Sequence, residues 1–134
     1  MSDRDNKLNI FDVPPDQVSW NVEVIFADSV FTKAVLYANR ARVYEKEKET
    51  LLDGDLLVDF YSKRTNKKSS KLTADSARID DNTKNMLARG NVVVISDSTG
   101  TKLETDLLEW IEREQKLYST EYVKITTPNE IIEG

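Results

Sequence analysis

The sequence predicts an all-β sandwich assembled from repeated antiparallel strand units with open edges, and three observations predict it. First, the stretch from Leu72 to Ile95 is written three times. It recurs without a gap 31 positions later, as Leu103 to Thr126, and 36 positions earlier, as Leu36 to Asp59. One repeated unit fixes a whole architecture. Second, the apolar residues within each copy step by two. Leu36, Leu72 and Leu103 are followed by Ala38, Ala74 and Thr105, then by Ala41, Ala77 and Leu108, then by Val43, Ile79 and Trp110. The second arms carry Leu56-x-Val58, Val92-x-Val94 and Val123-x-Ile125. That is the period of a strand with one buried face. Third, a polar stretch separates the arms each time. In the middle copy it is Asp80-Asp81-Asn82-Thr83, residues that favour turns over helix.

Within each copy the details follow the same logic. The three-residue step from Ala74 to Ala77 breaks the alternation and places a kink or bulge there. Gly54 and Gly90 occupy equivalent positions ahead of the second apolar run, where glycine supplies a positive φ. Glu121 holds that place in the third copy, so the requirement reads as not absolute. Taken alone, the third copy is an even contest with helix. Leu107, Trp110, Ile111 and Tyr118 fit helical spacing, and Thr101-x-x-Glu104 matches a capping box. The repeat decides for strand, because the equivalent segment 71–87 carries Asp80 to Thr83 in its middle, a poor helix interior.

In chain order, residues 1–19 are polar, contain Pro14-Pro15, and read as a mobile leader or the scar of a removed anchor. The ordered domain is expected over 20–134. It opens with a strand in which Trp20, Val22, Val24 and Phe26 share an apolar face. Asp28-Ser29 turns the chain into the first copy. Glu45 to Glu49 is a charge run where the other copies turn, and reads as a solvated turn or edge. Leu56, Val58 and Phe60 then face inward, with Leu57, Asp59 and Tyr61 on the outward side. Asp53-Gly54-Asp55 lacks the carboxylate spacing of a calcium loop and reads as a turn or bulge. Lys63 to Lys68 holds the basic cluster. It reads as a hairpin tip, with contact to an anionic headgroup or an acidic partner as the functional alternative. Asp97 to Gly100 is a further hairpin loop, Pro128-Asn129 ends the third copy, and Ile131-Ile132 begin another strand.

Composition bounds the chemistry. The 134 residues suffice for one domain with a core of its own. A net charge of −5 opposes nucleic-acid binding, which wants a basic surface. With no cysteine there is no disulfide framework or thiol chemistry, and with no histidine the commonest general base and metal ligand is gone. No apolar run approaches the roughly 20 residues that cross a bilayer. No nucleophile elbow, phosphate loop or dinucleotide fingerprint is present. No cofactor, metal or enzymatic activity is expected. Composition leaves a paired-carboxylate hydrolase on a β scaffold open, since carboxylates are plentiful. Asp75 and Asp106, with Asn39 in the first copy, fall at equivalent positions by the kink, where a structural hydrogen bond is the preferred reading.

Stacked copies of such a unit bury a continuous apolar interior and end in open strand edges that accept another chain. An interior of this kind can hold an acyl chain. On the residues alone, a lipid-carrying module and a purely structural repeat domain that pairs edges read alike.

The pattern Leu72-x-Ala74-Asp75-x-Ala77, Thr83-x-x-Met86-x-Ala88-x-Gly90-Asn91-Val92-x-Val94, then Leu103-x-Thr105-Asp106, resembles the OstA-like repeat of lipopolysaccharide transport proteins. Leu36-x-Ala38-x-x-Ala41-x-x-Tyr44, Leu56-x-Val58-x-Phe60 and the tail Val123-x-Ile125-Thr126-x-Pro128 resemble the LptC family within it, over residues 20–134. The resemblance implies a twisted β-jellyroll, or β-taco. It implies a periplasmic domain held to the inner membrane by an N-terminal helix that this sequence lacks. The implied partners are lipopolysaccharide, an inner-membrane ATP-driven Lpt transporter complex and an LptA-like bridge protein paired edge to edge. The implied alternatives are an LptA-like soluble bridge or a non-carrier adaptor. Open edges also predict head-to-tail self-association. The family continues past Gly134, which leaves the C-terminal docking edge incomplete in this reading. No short binding motif transfers, so parity alone nominates the lipid-lining residues: Val24, Phe26, Val58, Phe60, Met86, Val94, Trp110 and Val123.

Overall fold

A computed structural model describes residues 14–28 and 30–134. Among them run nine strands: β1 (Gln17–Ala27), β2 (Thr32–Tyr44), β3 (Glu49–Tyr61), β4 (Lys68–Asp80), β5 (Met86–Ser96), β6 (Lys102–Ile111), β7 (Lys116–Tyr118), β8 (Val123–Thr126) and β9 (Ile131–Glu133). All pair antiparallel in one sheet of order β1-β2-β3-β4-β5-β6-β8-β9, with β7 also on β6. Each repeat copy is therefore one long hairpin. The segment that contests helix with strand, 102–118, is β6, a turn and β7.

The hairpin tips repeat as faithfully as the strands. Lys48, Lys84 and Gln115 sit at equivalent repeat positions, and all three have positive φ, at 57°, 65° and 57°. One left-handed residue closing a short loop is a common way to rejoin a twisted antiparallel pair. At the middle tip the Asp80 carboxylate accepts the N–H groups of Asn82 at 2.8 Å and Thr83 at 3.0 Å. The Asp28 carboxylate accepts those of Val30 and Phe31 in the same way. Its expected turn partner Ser29 lies outside the described residues, as do residues 1–13 of the expected leader.

The row of kinks organises the sheet. Register shifts fall in line between Tyr37 and Arg40, Asp53 and Leu56, Thr73 and Ser76, and Arg89 and Val92, on β2 to β5. Gly54 and Gly90 take φ of 83° and 84°, followed by Asp55 and Asn91 at 48° each. Asn39 packs over Gly54 and Asp75 over Gly90, so closely that an added Cβ would lie 2.7 Å and 2.5 Å from their side chains. The Asn39 amide donates to Asp55 at 3.2 Å, and the Asn91 amide donates to Asp75 at 3.0 Å. The two kinks carry the same amide–carboxylate pair in mirror arrangement, which is the structural role expected of Asn39 and Asp75.

The third copy departs from this, and Glu121 is the reason. Without a glycine there, no pair of left-handed residues forms, and the return strand breaks into β7 and β8. Side chains bridge the gap instead: the Ser119 hydroxyl donates to the Leu107 carbonyl at 2.7 Å and the Thr105 hydroxyl to the Tyr122 carbonyl at 2.8 Å. The Asp106 side chain is exposed and makes no hydrogen bond among the described residues, so it has no counterpart of the Asp75 bond. Glycine is thus required for a continuous strand, though not for the fold.

No helix occurs among the described residues, yet Leu36, Leu72, Ala88 and Val92 are completely buried on one face of the sheet. What covers that face is the sheet itself, folded along the row of kinks. Residues from both sides of the crease form one apolar cluster, including Leu36, Val58 and Leu72 from one half and Leu52, Ile79 and Met86 from the other. Phe60 on β3 and Trp110 on β6, strands that do not pair, meet with ring centroids 5.4 Å apart. Each of the long strands thus supplies part of both layers, and the lip opposite the crease is left open.

Two expectations change at the outer face. β1 begins at Gln17, and Trp20 does not share the inner face of Val22. Asn21, at φ 53°, shifts the alternation: Val22 pairs with buried Ala38, whereas Trp20 pairs with Arg40 and is 67% exposed. Asp59 does lie on the outward side, opposite Val35 and Lys71, but it is only 3% exposed. The Lys68 ammonium covers it at 3.3 Å, and its Oδ1 has no donor among the described residues.

Candidate functional site

Cross-strand register aligns one apolar row along the inner face. Val24 stands opposite Leu36, Leu36 opposite Val58, and Val58 opposite Leu72. The row continues through Val94 and Leu103 to Ile125 and ends at Ile132 on β9. Burial changes along it. Leu36, Val58 and Leu72 are sealed at 1% exposure or less, Val94 and Leu103 are half-buried, and Ile132 is half exposed. The covering layer ends at the short β7, so the row emerges to solvent on the β8–β9 side.

The lip holds a cleft of about 760 Å³. Its apolar wall is Phe60, Trp110 and Leu117, and its rim carries Lys33, Lys63 and Arg113. Lys33, near the start of β2, forms an ion pair with Glu112 in the turn after β6, joining the two layers across 79 residues of sequence. The other Glu112 oxygen accepts the Trp110 indole N–H at 2.9 Å, and the Glu112 backbone N–H donates to the Asn85 side-chain oxygen at 2.9 Å. Facing the cleft, Asp28 is held below the usual carboxylate range, chiefly by the Val30 N–H.

A model described as lipopolysaccharide-assembly, LptC-related, matches residues 16–134. The chain belongs to the LptC-related family. A crystal structure of LptH from Pseudomonas aeruginosa, described as the LptA homologous periplasmic component of the conserved lipopolysaccharide transport device, shares the fold. It superposes with a TM-score of 0.54 and 10% identity, over 90% of this chain and 94% of that one. No curated protein matches the sequence. The family is one of lipopolysaccharide assembly and not of enzymes, and the all-β jellyroll expected from the LptC-like pattern is the fold observed.

The residues nominated by parity fall on both walls of this LptC-family jellyroll. Phe26, Val58, Phe60 and Met86 lie within the apolar cluster, and Val24, Val94 and Trp110 pack against it. Val123, half-buried opposite Thr105 on β6, lies outside that cluster. Parity missed Leu117, although the repeat holds the signal: it is the third-copy equivalent of Met86, and both flank Trp110 in register. It also missed Lys33 and Glu112, whose pairing leaves no local trace in the sequence. Asp53-Gly54-Asp55 forms the bulge expected of it, and Asp53 in addition receives Arg40 at 3.0 and 2.6 Å and Arg42 at 3.2 Å. Among the described residues no group of three or more acidic side chains is placed to hold a metal ion.

Proposed function

We propose that this domain carries lipopolysaccharide through the periplasm, taking it from an inner-membrane ATP-driven Lpt transporter complex and passing it to an LptA-like bridge protein. The carrying observation is the apolar row from Val24 to Ile132, enclosed in its middle and open at the β8–β9 side. Acyl chains take the place of layer-to-layer contacts there, lined by Val24, Phe26, Val58, Phe60, Met86, Val94, Trp110 and Val123. In this reading the domain is tethered to the inner membrane through its N-terminal side. Neighbouring jellyrolls add to the free edges of β1 and β9, which end the strand order and expose Trp20 and Ile131. The same edges allow head-to-tail self-association.

Those edges also favour a second reading, an adaptor that pairs strands and carries nothing. A photoreactive residue at Phe60 separates the two. The control belongs at Lys71, which is exposed on the outer face, and not at the covered Asp59. Crosslinking of lipopolysaccharide from position 60 and not from 71 is expected of a carrier. A folded protein that crosslinks from neither is an adaptor.

A further inference from the structure

The open lip is bridged at one point by a carboxylate that makes two contacts. Glu112 neutralises Lys33 from the facing layer and fixes the Trp110 indole, and Trp110 in turn leans on Phe60. Both members of the ion pair are largely covered, with side chains 20% and 16% exposed. Beside them, Lys63 and Arg113 reach the same cleft and make no ion pair among the described residues. Three cations therefore converge on a space whose wall is aromatic and aliphatic; Glu112 is the carboxylate paired directly with Lys33, while Asp28, which also lines the cleft, acts on Lys33 and Lys63 through longer-range attraction. The cleft has the size of a ligand pocket, which runs from about 300 to 1,000 Å³. That suits one headgroup and the start of its chains, and not a whole glycolipid.

We propose that this lip is an anion-exchange gate. The phosphate of an acylated amphiphile takes the place of Glu112 on Lys33, with Lys63 and Arg113 completing the anion site. Displacement of Glu112 removes the acceptor that holds the indole, so Trp110 swings from Phe60 and admits the acyl chain between the layers. A phosphate competes well because it offers several acceptor oxygens and more charge than a carboxylate. The gate rests on the carrier reading and adds to it the chemical group that opens the interior.

The test compares three probes on the full chain: lipopolysaccharide, the same lipopolysaccharide after enzymatic dephosphorylation, and inorganic phosphate. Two readouts are used, crosslinking from position 60 and Trp110 fluorescence in a Trp20→Phe background, which leaves Trp110 as the one tryptophan. Wild type is expected to prefer the phosphorylated lipid by about three- to tenfold, the range of one or two charge-assisted contacts. Lys33→Met should abolish that preference. Lys63→Met with Arg113→Met should weaken it, and neither residue holds an ion pair whose loss would threaten folding. Glu112→Gln, which keeps an acceptor for the indole but removes the competing charge, should tighten binding of the phosphorylated lipid alone. Equal crosslinking of both lipids by wild type overturns the gate and leaves the carrier standing. So does a preference that survives in folded Lys33→Met, or inorganic phosphate alone binding as tightly as the lipid. Failure of both lipids to crosslink overturns the carrier and the gate together.

Discussion

Gly90→Ala tests the crease directly. Two costs add at this site. An alanine at φ 84° leaves the favoured backbone regions, which costs about 1–2 kcal/mol. Its Cβ would also lie 2.5 Å from Asp75 Oδ2 and 3.0 Å from Asp75 Cβ. Asp75 must leave its rotamer, at about 0.5–1.5 kcal/mol, and in doing so loses its bond from Asn91. The expected destabilisation is about 2–3 kcal/mol, or roughly 8–12 °C in Tm for a chain of this length. Gly100→Ala is the internal control. Its φ of 73° is equally left-handed, but an added Cβ would meet only Pro128 Cγ, at an ordinary 3.7 Å. It should therefore show the backbone cost alone, about 1–2 kcal/mol. Adding Asp75→Ala to Gly90→Ala should recover about 1 kcal/mol, a non-additivity expected of touching residues. Urea unfolding followed by far-UV circular dichroism measures all four variants. Equal losses for Gly90→Ala and Gly100→Ala, or strict additivity with Asp75→Ala, would refute the close packing of Asp75 over the glycine.

Other outcomes follow from single sites. Leu72→Ala removes a side chain with no exposed surface and should cost about 2–5 kcal/mol in the same urea assay, where a loss below 1 would place the core elsewhere. At the covered carboxylate an asymmetry is expected. Lys68→Met strands Asp59 without its cation and should destabilise more than Asp59→Leu, which removes the buried charge itself; the reverse order would contradict the burial. Stability should depend on pH only at the extremes. Asp53 is held below its ordinary 3.8 first by the Arg40 hydrogen bond, and Asp80 by the Thr83 N–H. Depressed carboxylates contribute stability that is present above the unfolded value and lost as pH falls through the folded one. The urea midpoint should hold from pH 8 to 5, since no histidine titrates there, and drop below about 3.8. Asp53→Asn should flatten part of that drop. Lys68, raised above 10.5 by Asp59, contributes stability that is lost as pH climbs past that value.

The strands, their turns and their kinks were legible because each is written more than once. A hairpin tip read from Asp80 to Thr83 carries over to Tyr44 to Glu47 and to Ile111 to Glu114, and the left-handed closing residue comes next in all three. Inner-face parity within a strand was legible for the same reason wherever the backbone stays extended. It failed at Trp20, where one asparagine in a left-handed conformation reverses the faces with no glycine to announce it. That glycine is dispensable at Glu121 holds for the fold, but the broken strand there was not foreseen, because a sequence position shows which residue is present and not whether the strand survives it. Asp59 was placed on the correct side, but its burial was not foreseen. Its cover comes from Lys68 on the neighbouring strand, and cross-strand neighbours are set by register, which parity does not supply.

The lip was illegible for a deeper reason, and that reason bears on how the fold can work. Contacts along the sheet are ladders of backbone hydrogen bonds between neighbours in sequence, so the repeat encodes them. Contacts across the lip join residues far apart in the chain, Lys33 with Glu112 and Phe60 with Trp110, through side chains alone. The two layers are largely halves of the same strands, linked covalently at the crease and elsewhere by apolar packing and the Lys33–Glu112 ion pair. Widening the sandwich therefore breaks no strand pairing. It costs the apolar contact between the halves, at about 25 cal/mol per Å² exposed to water. An acyl chain that fills the gap restores that contact with its own surface, so the loaded state need not be poorer in buried apolar area than the empty one. A closed barrel has no such freedom, because enlarging it requires breaking its ladder. On the proposed carrier reading, the kinks that let the long strands belong to both layers are thus also the hinge on which the interior would open.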